Sequence, residues 1–113
     1  MFECHLDEDI FDVVKNGSKT VEVRINDEKR RKMTIGDELV FIKRPLEIEK
    51  IVTKITDLKV YNTFNELVKD YDIKNLYLET FTKDEFLKLL ERFYSKEEQE
   101  KYGVVAIEFK KVD

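Results

Sequence analysis

Hydrophobic and polar positions alternate at the start of the chain, with Phe2, Cys4 and Leu6 on one side and Glu3 and His5 on the other. A period of two predicts a first strand. The period then lengthens. Ile10, Phe11, Val13 and Val14 fall on a helical face, Asp7 stands where it can cap that helix, and Asn16-Gly17 supplies its stop. Beyond the glycine the period returns to two, in a short run rich in β-branched residues. Thr20, Glu22 and Arg24 share one face of it, and Val21 and Val23 share the other. Valines are the natural choice for a core, so the pattern predicts a hydroxyl, a carboxylate and a guanidinium lined up on the side that is not buried. Strict alternation puts Lys19 with the valines. Just after a turn, however, a long lysine can leave the core face and reach the mouth of the fold.

Further along, Asn26 to Met33 is polar and reads as a loop or a single helical turn, and Gly36 marks a tight turn into a strand over Glu38 to Lys43. Pro45 interrupts the pattern. Ile48 to Tyr61 is strand-like but changes phase: Ile51, Thr53 and Ile55 belong to one alternation, Leu58 and Val60 to the other. Such a slip predicts a bulge in a curved barrel strand. Thr63-x-x-Glu66, Thr82-x-x-Glu85 and Ser95-x-x-Glu98 each fit the capping box and predict three helix starts. The first helix carries Phe64, Leu67, Val68 and Tyr71 at helical spacing. The second carries Phe86, Leu89, Leu90 and Phe93 and is expected to be the main helix on the sheet. Val104 to Phe109 is apolar on both faces, hence a central strand. Helices clustered between strands, without βαβ alternation, give an α+β class: a small mixed β-barrel flanked by helices.

With 113 residues the expectation is one domain over 1–113 with a single core. A charged fraction of 41% and the absence of a long apolar run read as soluble, without a membrane partner. Met1 to His5 lacks a basic segment followed by an apolar one, and one cysteine forms no internal disulfide, so the expected setting is cytoplasmic.

The residue inventory excludes several chemistries. His5 is the only histidine and neighbours Cys4 on the opposite face of a strand, so the two cannot pair as base and nucleophile, and no Cys/His metal site can be assembled. His5 stands only as a possible ligand contact beside a cleft. The three glycines are scattered, so there is no phosphate-cradling loop. No metal or cofactor is expected. Tyr61, Tyr77, Tyr94 and Tyr102 could stack on a base, or simply pack.

Charge narrows the choice of partner. Residues 15–44 hold nine basic against five acidic side chains, a net +4 that leaves −8 for the rest of a chain whose total is −4. A basic region in an acidic molecule suits a small or single-stranded anionic ligand held at one place rather than a long duplex. Lys29-Arg30-Arg31-Lys32 belongs to this region, although a run of four charges is as often a solvated loop.

The spacing Gly17-x-Lys19-x-x-Glu22-x-Arg24 resembles the signature of the ASCH domains, small proteins of the PUA-like superfamily. The strand-like start, the helix ending at Asn16-Gly17, the Ile35-Gly36-Asp37 turn into Leu39-Val40-Phe41 and the closing Tyr102 to Phe109 agree with it. The resemblance implies a PUA-like barrel and a partner that is RNA, single-stranded or structured, or else a nucleotide or nucleoside. On this view Lys19, Arg24, Arg30 and Arg31 meet phosphate, while Glu22 and Thr20 offer an acceptor and a donor to a base edge or a 2′-hydroxyl. Some small ASCH proteins are amidohydrolases that remove an acyl group from modified cytidine, so the resemblance also implies, as an alternative, an enzyme that deacylates N4-acylated cytidine or another nucleic-acid-processing hydrolase. That alternative implies a catalytic set of Lys19, Glu22 and Glu85, although Glu22 stands where the family's hydrolases carry threonine. A carboxylate beside a lysine raises its pKa, which favours binding over catalysis, and Glu85 has a second role open to it as the capping acid of Thr82. A module for protein interaction, with no ligand of its own, is the third expectation.

Overall fold

A computed structural model describes residues 1–112 of the chain. Five strands, β1 (Phe2–Leu6), β2 (Val21–Ile25), β3 (Glu38–Lys43), β4 (Lys50–Tyr61) and β5 (Val104–Lys111), form one mixed sheet in the order β1-β3-β4-β5-β2. β1 pairs parallel with β3, and every other pairing is antiparallel. β5 lies between β4 and β2, as its two apolar faces require. The register of β4 on β5 shifts between Ile55 and Asp57, where the change of phase predicted a bulge.

The outer strands β1 and β2 are not paired with each other, so the small mixed barrel expected takes the form of a curled half-barrel with an open seam. A charged side chain helps keep the seam open: the ammonium of Lys19 sits on the Val21 carbonyl at the free edge of β2, where a further strand would have to bond.

Among the described residues six helices surround the sheet: α1 (Glu8–Lys15), α2 (Glu28–Arg31), α3 (Phe64–Val68), α4 (Ile73–Leu76), α5 (Lys83–Phe93) and α6 (Lys96–Tyr102). The described residues bury two cores, one on each face. Inside the curl, Phe11 and Val14 of α1 meet Leu39, Phe41, Ile55, Val105 and Ile107. On the other face Val21, Val23 and Ala106 pack under Phe64, Leu67, Leu76, Phe86 and Leu90 of α3, α4 and α5. Full burial of side chains such as Phe11 and Phe41 contributes about 1.5–3 kcal/mol each.

The boxes at Thr82 and Ser95 are both complete. At Thr63 only half forms, because the Glu66 carboxylate accepts from the Asn62 amide. Asp7 occupies the N-cap of α1 but makes no side-chain cap bond, and its carboxylate lies 3.9 Å from Arg44. α3 ends at Val68, before Tyr71, and the single turn α4 is an element the hydrophobic pattern did not mark. No helix among the described residues is long and apolar enough to cross a membrane.

Candidate functional site

In the antiparallel pairing of β2 with β5, Glu22 stands opposite Ile107 and Arg24 opposite Val105. Directly opposed residues share a face. Val105 and Ile107 belong to the core inside the curl, so Glu22 and Arg24 point there too. The expected unburied face is largely covered: Glu22 is 5% exposed, and Thr20 and Arg24 are half-buried. β2 lies between the inner core and the helical layer, and alternation of polar with apolar residues here separates two interiors rather than inside from outside.

Lys19 approaches from the helical side and reaches round the free edge of β2, as a lysine just after a turn can. Its Nζ donates to the Val21 carbonyl at 2.5 Å and the Leu76 carbonyl at 2.7 Å, and lies 3.0 Å from Glu22 Oε1. Three acceptors match the three N–H groups of an ammonium. The second carboxylate oxygen of Glu22 accepts from Arg24 Nε at 2.8 Å and lies 2.7 Å from Nη2.

Burial pushes the Lys19 ammonium below its ordinary pKa against the pull of Glu22. Burial also tends to raise Glu22, but the adjoining Lys19 and Arg24 charges and their hydrogen bonds more than offset it, holding the carboxyl down at about 2. Arg24 is raised by the Glu22 charge. The trio carries one net positive charge. Its outlet is Arg24, whose side chain keeps 22% of its surface exposed.

Beside the trio lies a cleft of about 470 Å³. One wall comes from Leu76, Tyr77, Phe86, Leu89, Leu90, Phe93 and Tyr94, the other from His5, Leu6, Asp7 and Ile10, with Arg44 at the rim. Tyr77 is fixed by stacking on Phe86 and by an edge contact with Phe81, both at 5.0 Å between ring centres. Phe93, expected on the packing face of α5, is instead 71% exposed at the cleft mouth. His5 Nε2 lies 2.6 Å from Glu47 Oε1, and a shallower hollow of about 640 Å³ continues from His5, Asp7 and Arg44 over Pro45 and Glu47.

Of the candidate residues, Lys19, Glu22 and Arg24 are brought together, with His5, Tyr77 and Tyr94 around them. Thr20, Arg30, Arg31 and Glu85 do not line the cleft. The Thr20 main chain bonds to Asn75 and Phe109. Arg30 pairs with Asp27 at 3.2 Å, while Arg31 donates to the carbonyls of Asn26 and Tyr102 and so ties α2 to the end of α6. The Glu85 carboxylate is exposed and accepts from the Thr82 amide at 2.9 Å. Tyr61 donates to Asp70 at 2.7 Å, away from the cleft. Arg44 was missed because it reaches the site through the parallel pairing of β1 with β3, which sets Leu6 beside Lys43. No local pattern marks that pairing. No cluster of three metal-ligating side chains occurs among the described residues.

Fold and site together define a class of small α+β proteins in which an open half-barrel carries a buried charged trio at the foot of an aromatic-walled cleft. The sequence model of the ASCH domain matches residues 5–113, and the chain belongs to that family. Among solved structures it is similar to a hypothetical protein designated PH0355, at 32% identity over 98% of each chain with a TM-score of 0.81. It is also similar to protein PF0455 from Pyrococcus furiosus, at 29% identity over 99% of this chain and 97% of that one, with a TM-score of 0.75. No curated protein matches it.

Proposed function

We propose that this chain is an RNA- or nucleotide-binding module, a half-barrel of PUA-like type whose 1–113 segment works as one unit around the cleft beside β2. The observation that carries the proposal is the arrangement of charge and apolar surface. A buried, fully paired Lys19–Glu22 couple fixes Arg24 so that the remaining donor edge of its guanidinium meets an aromatic-walled cleft. Aromatic walls take the face of a base, and Arg24 and Arg44 take phosphate or an acceptor on the base edge. Lys19 does not reach the ligand directly. Its three donors are committed to Val21, Leu76 and Glu22, and its contribution is to hold Glu22, and through it Arg24, in place.

Deacylation of N4-acylated cytidine has less behind it. It needs a free amine at Lys19, whereas the Lys19 Nζ is taken up by Glu22 and the Val21 and Leu76 carbonyls, and Glu85 caps α5 at the surface.

The test is a titration of labelled short single-stranded RNA followed by fluorescence anisotropy over a range of salt. Arg44→Ala is expected to weaken binding and to reduce the slope of log K against log salt by about 0.7, the value for one lost phosphate contact on a single strand. Arg24→Gln is expected to weaken binding more. Superimposable curves for the wild type and both variants would overturn the proposal.

A further inference from the structure

The free edge of β2 carries a second kind of recognition element, made of main chain. Asn26 donates its N–H to the Gly103 carbonyl at 2.9 Å, and Phe109 donates to the Thr20 carbonyl at 3.0 Å. With Val21 opposite Glu108 and Arg24 opposite Val105, these bonds fix the ladder: even-numbered residues of β2 exchange hydrogen bonds with β5, and odd-numbered residues turn theirs toward the seam. Lys19 occupies the Val21 carbonyl. Val23 is the odd-numbered residue of β2 that lines the cleft, and by this parity its N–H and C=O face the seam instead of β5. Its isopropyl group is buried in the helical-side core, so what it can offer the cleft is a donor and an acceptor side by side.

Polar main-chain groups enclosed by apolar walls are costly to leave unpaired. We propose that the Val23 N–H and C=O bind the hydrogen-bonding edge of a nucleobase, an amide or amidine with adjacent acceptor and donor, while Tyr77 and Tyr94 confine its ring and Arg24 meets a further acceptor. This rests on the nucleic-acid reading above and narrows it: the ligand enters base first, by an unpaired base, and duplex RNA, whose base edges are already paired, is excluded. An extended peptide adding itself to the same edge is disfavoured. Strand pairing needs several consecutive free positions, and the Lys19 ammonium closes this one two residues before Val23.

The experiment uses the full chain and an oligouridylate in three forms: unmodified, with N3-methyluridine, which blocks the edge, and with 5-methyluridine, which leaves it free. The expected result is equal affinity for the unmodified and 5-methyl forms and about tenfold weaker binding of the N3-methyl form, as for one unsatisfied buried pair. A protein in which an ester replaces the Glu22–Val23 amide loses the Val23 N–H, and the Glu22 carbonyl, which faces β5, becomes a weaker acceptor. It is expected to bind unmodified oligouridylate about tenfold more weakly, with an unchanged salt slope, and still to discriminate against the N3-methyl form, whose missing donor faces the Val23 carbonyl that the ester leaves in place. If wild type binds all three oligonucleotides alike, the Val23 assignment fails while nucleic-acid binding stands. If it binds none of them, nor any other single-stranded RNA, the broader proposal fails as well. Competition by an extended peptide, with no binding of RNA, would assign the edge to strand addition and overturn the inference.

Discussion

Glu22→Gln removes the negative charge held between two cations without changing shape, so its effect isolates the electrostatics of the trio. In the folded chain the carboxyl is held at about 2, against an ordinary 4.5. A fall of about 2.5 in pKa, at about 1.4 kcal/mol for each, makes ionised Glu22 worth about 3 kcal/mol at neutral pH. Mutational experience with buried pairs, where removing one partner costs about 3–5 kcal/mol, gives the same size. The sign is fixed by the direction of the shift. A depressed carboxyl stabilises fully above its unfolded value, and the stability drains away as pH falls from 4.5 through about 2. Urea unfolding followed by far-ultraviolet circular dichroism reads this directly. With slopes of about 1–3 kcal/mol per molar, the variant's midpoint at neutral pH should lie about 1–3 M below that of wild type. The gap should close as the solution is acidified to about pH 2, since wild type then loses the same charge. A neutral-pH difference under about 1 kcal/mol, or a difference that does not shrink in acid, would refute the account of the trio as mutually stabilising charges.

Two further outcomes follow from the same structure. Gly103 has φ +71° and ψ −174°, a region essentially reserved for glycine, and a Cβ there would meet the Tyr61 carbonyl at 3.0 Å. Gly103→Ala should therefore lower stability by about 1–3 kcal/mol in the same urea assay. Glu85→Ala removes half of the α5 capping box and should cost at most about 1 kcal/mol; anisotropy titrations with RNA should be unchanged, and a large loss of binding would return Glu85 to the site.

Much of the frame was legible because its determinants are local. Alternation marked β1 and β2, the turn at Gly36 marked β3, the phase slip marked the bulge near Ile55, and hydroxyl-to-glutamate spacing marked α5 and α6. The grouping of Lys19, Glu22 and Arg24 was legible for the same reason, since all three lie within six positions. What escaped was set by distant partners. The burial of Glu22 depends on β5 and α1 closing one side of β2 and on α3 to α5 closing the other. Arg44 joins the cleft only through the pairing of β1 with β3. Arg30 and Arg31 looked like ligand contacts because charge runs carry no record of where they fold; bonds to Asp27, Asn26 and Tyr102 direct them elsewhere.

The sheet order carries a consequence for synthesis. β2 has one neighbour in the sheet, β5, which is the last strand to be made. A nascent chain can assemble β1, β3 and β4, but until residues 104–111 have left the ribosome and zipped against residues 21–25, the charged trio has no inner wall to rest on. Long-range pairing of this kind forms late and slowly. The cleft beside β2 is therefore finished only when the sheet is, and a chain that lacks β5 has the trio's residues without the geometry that holds them together.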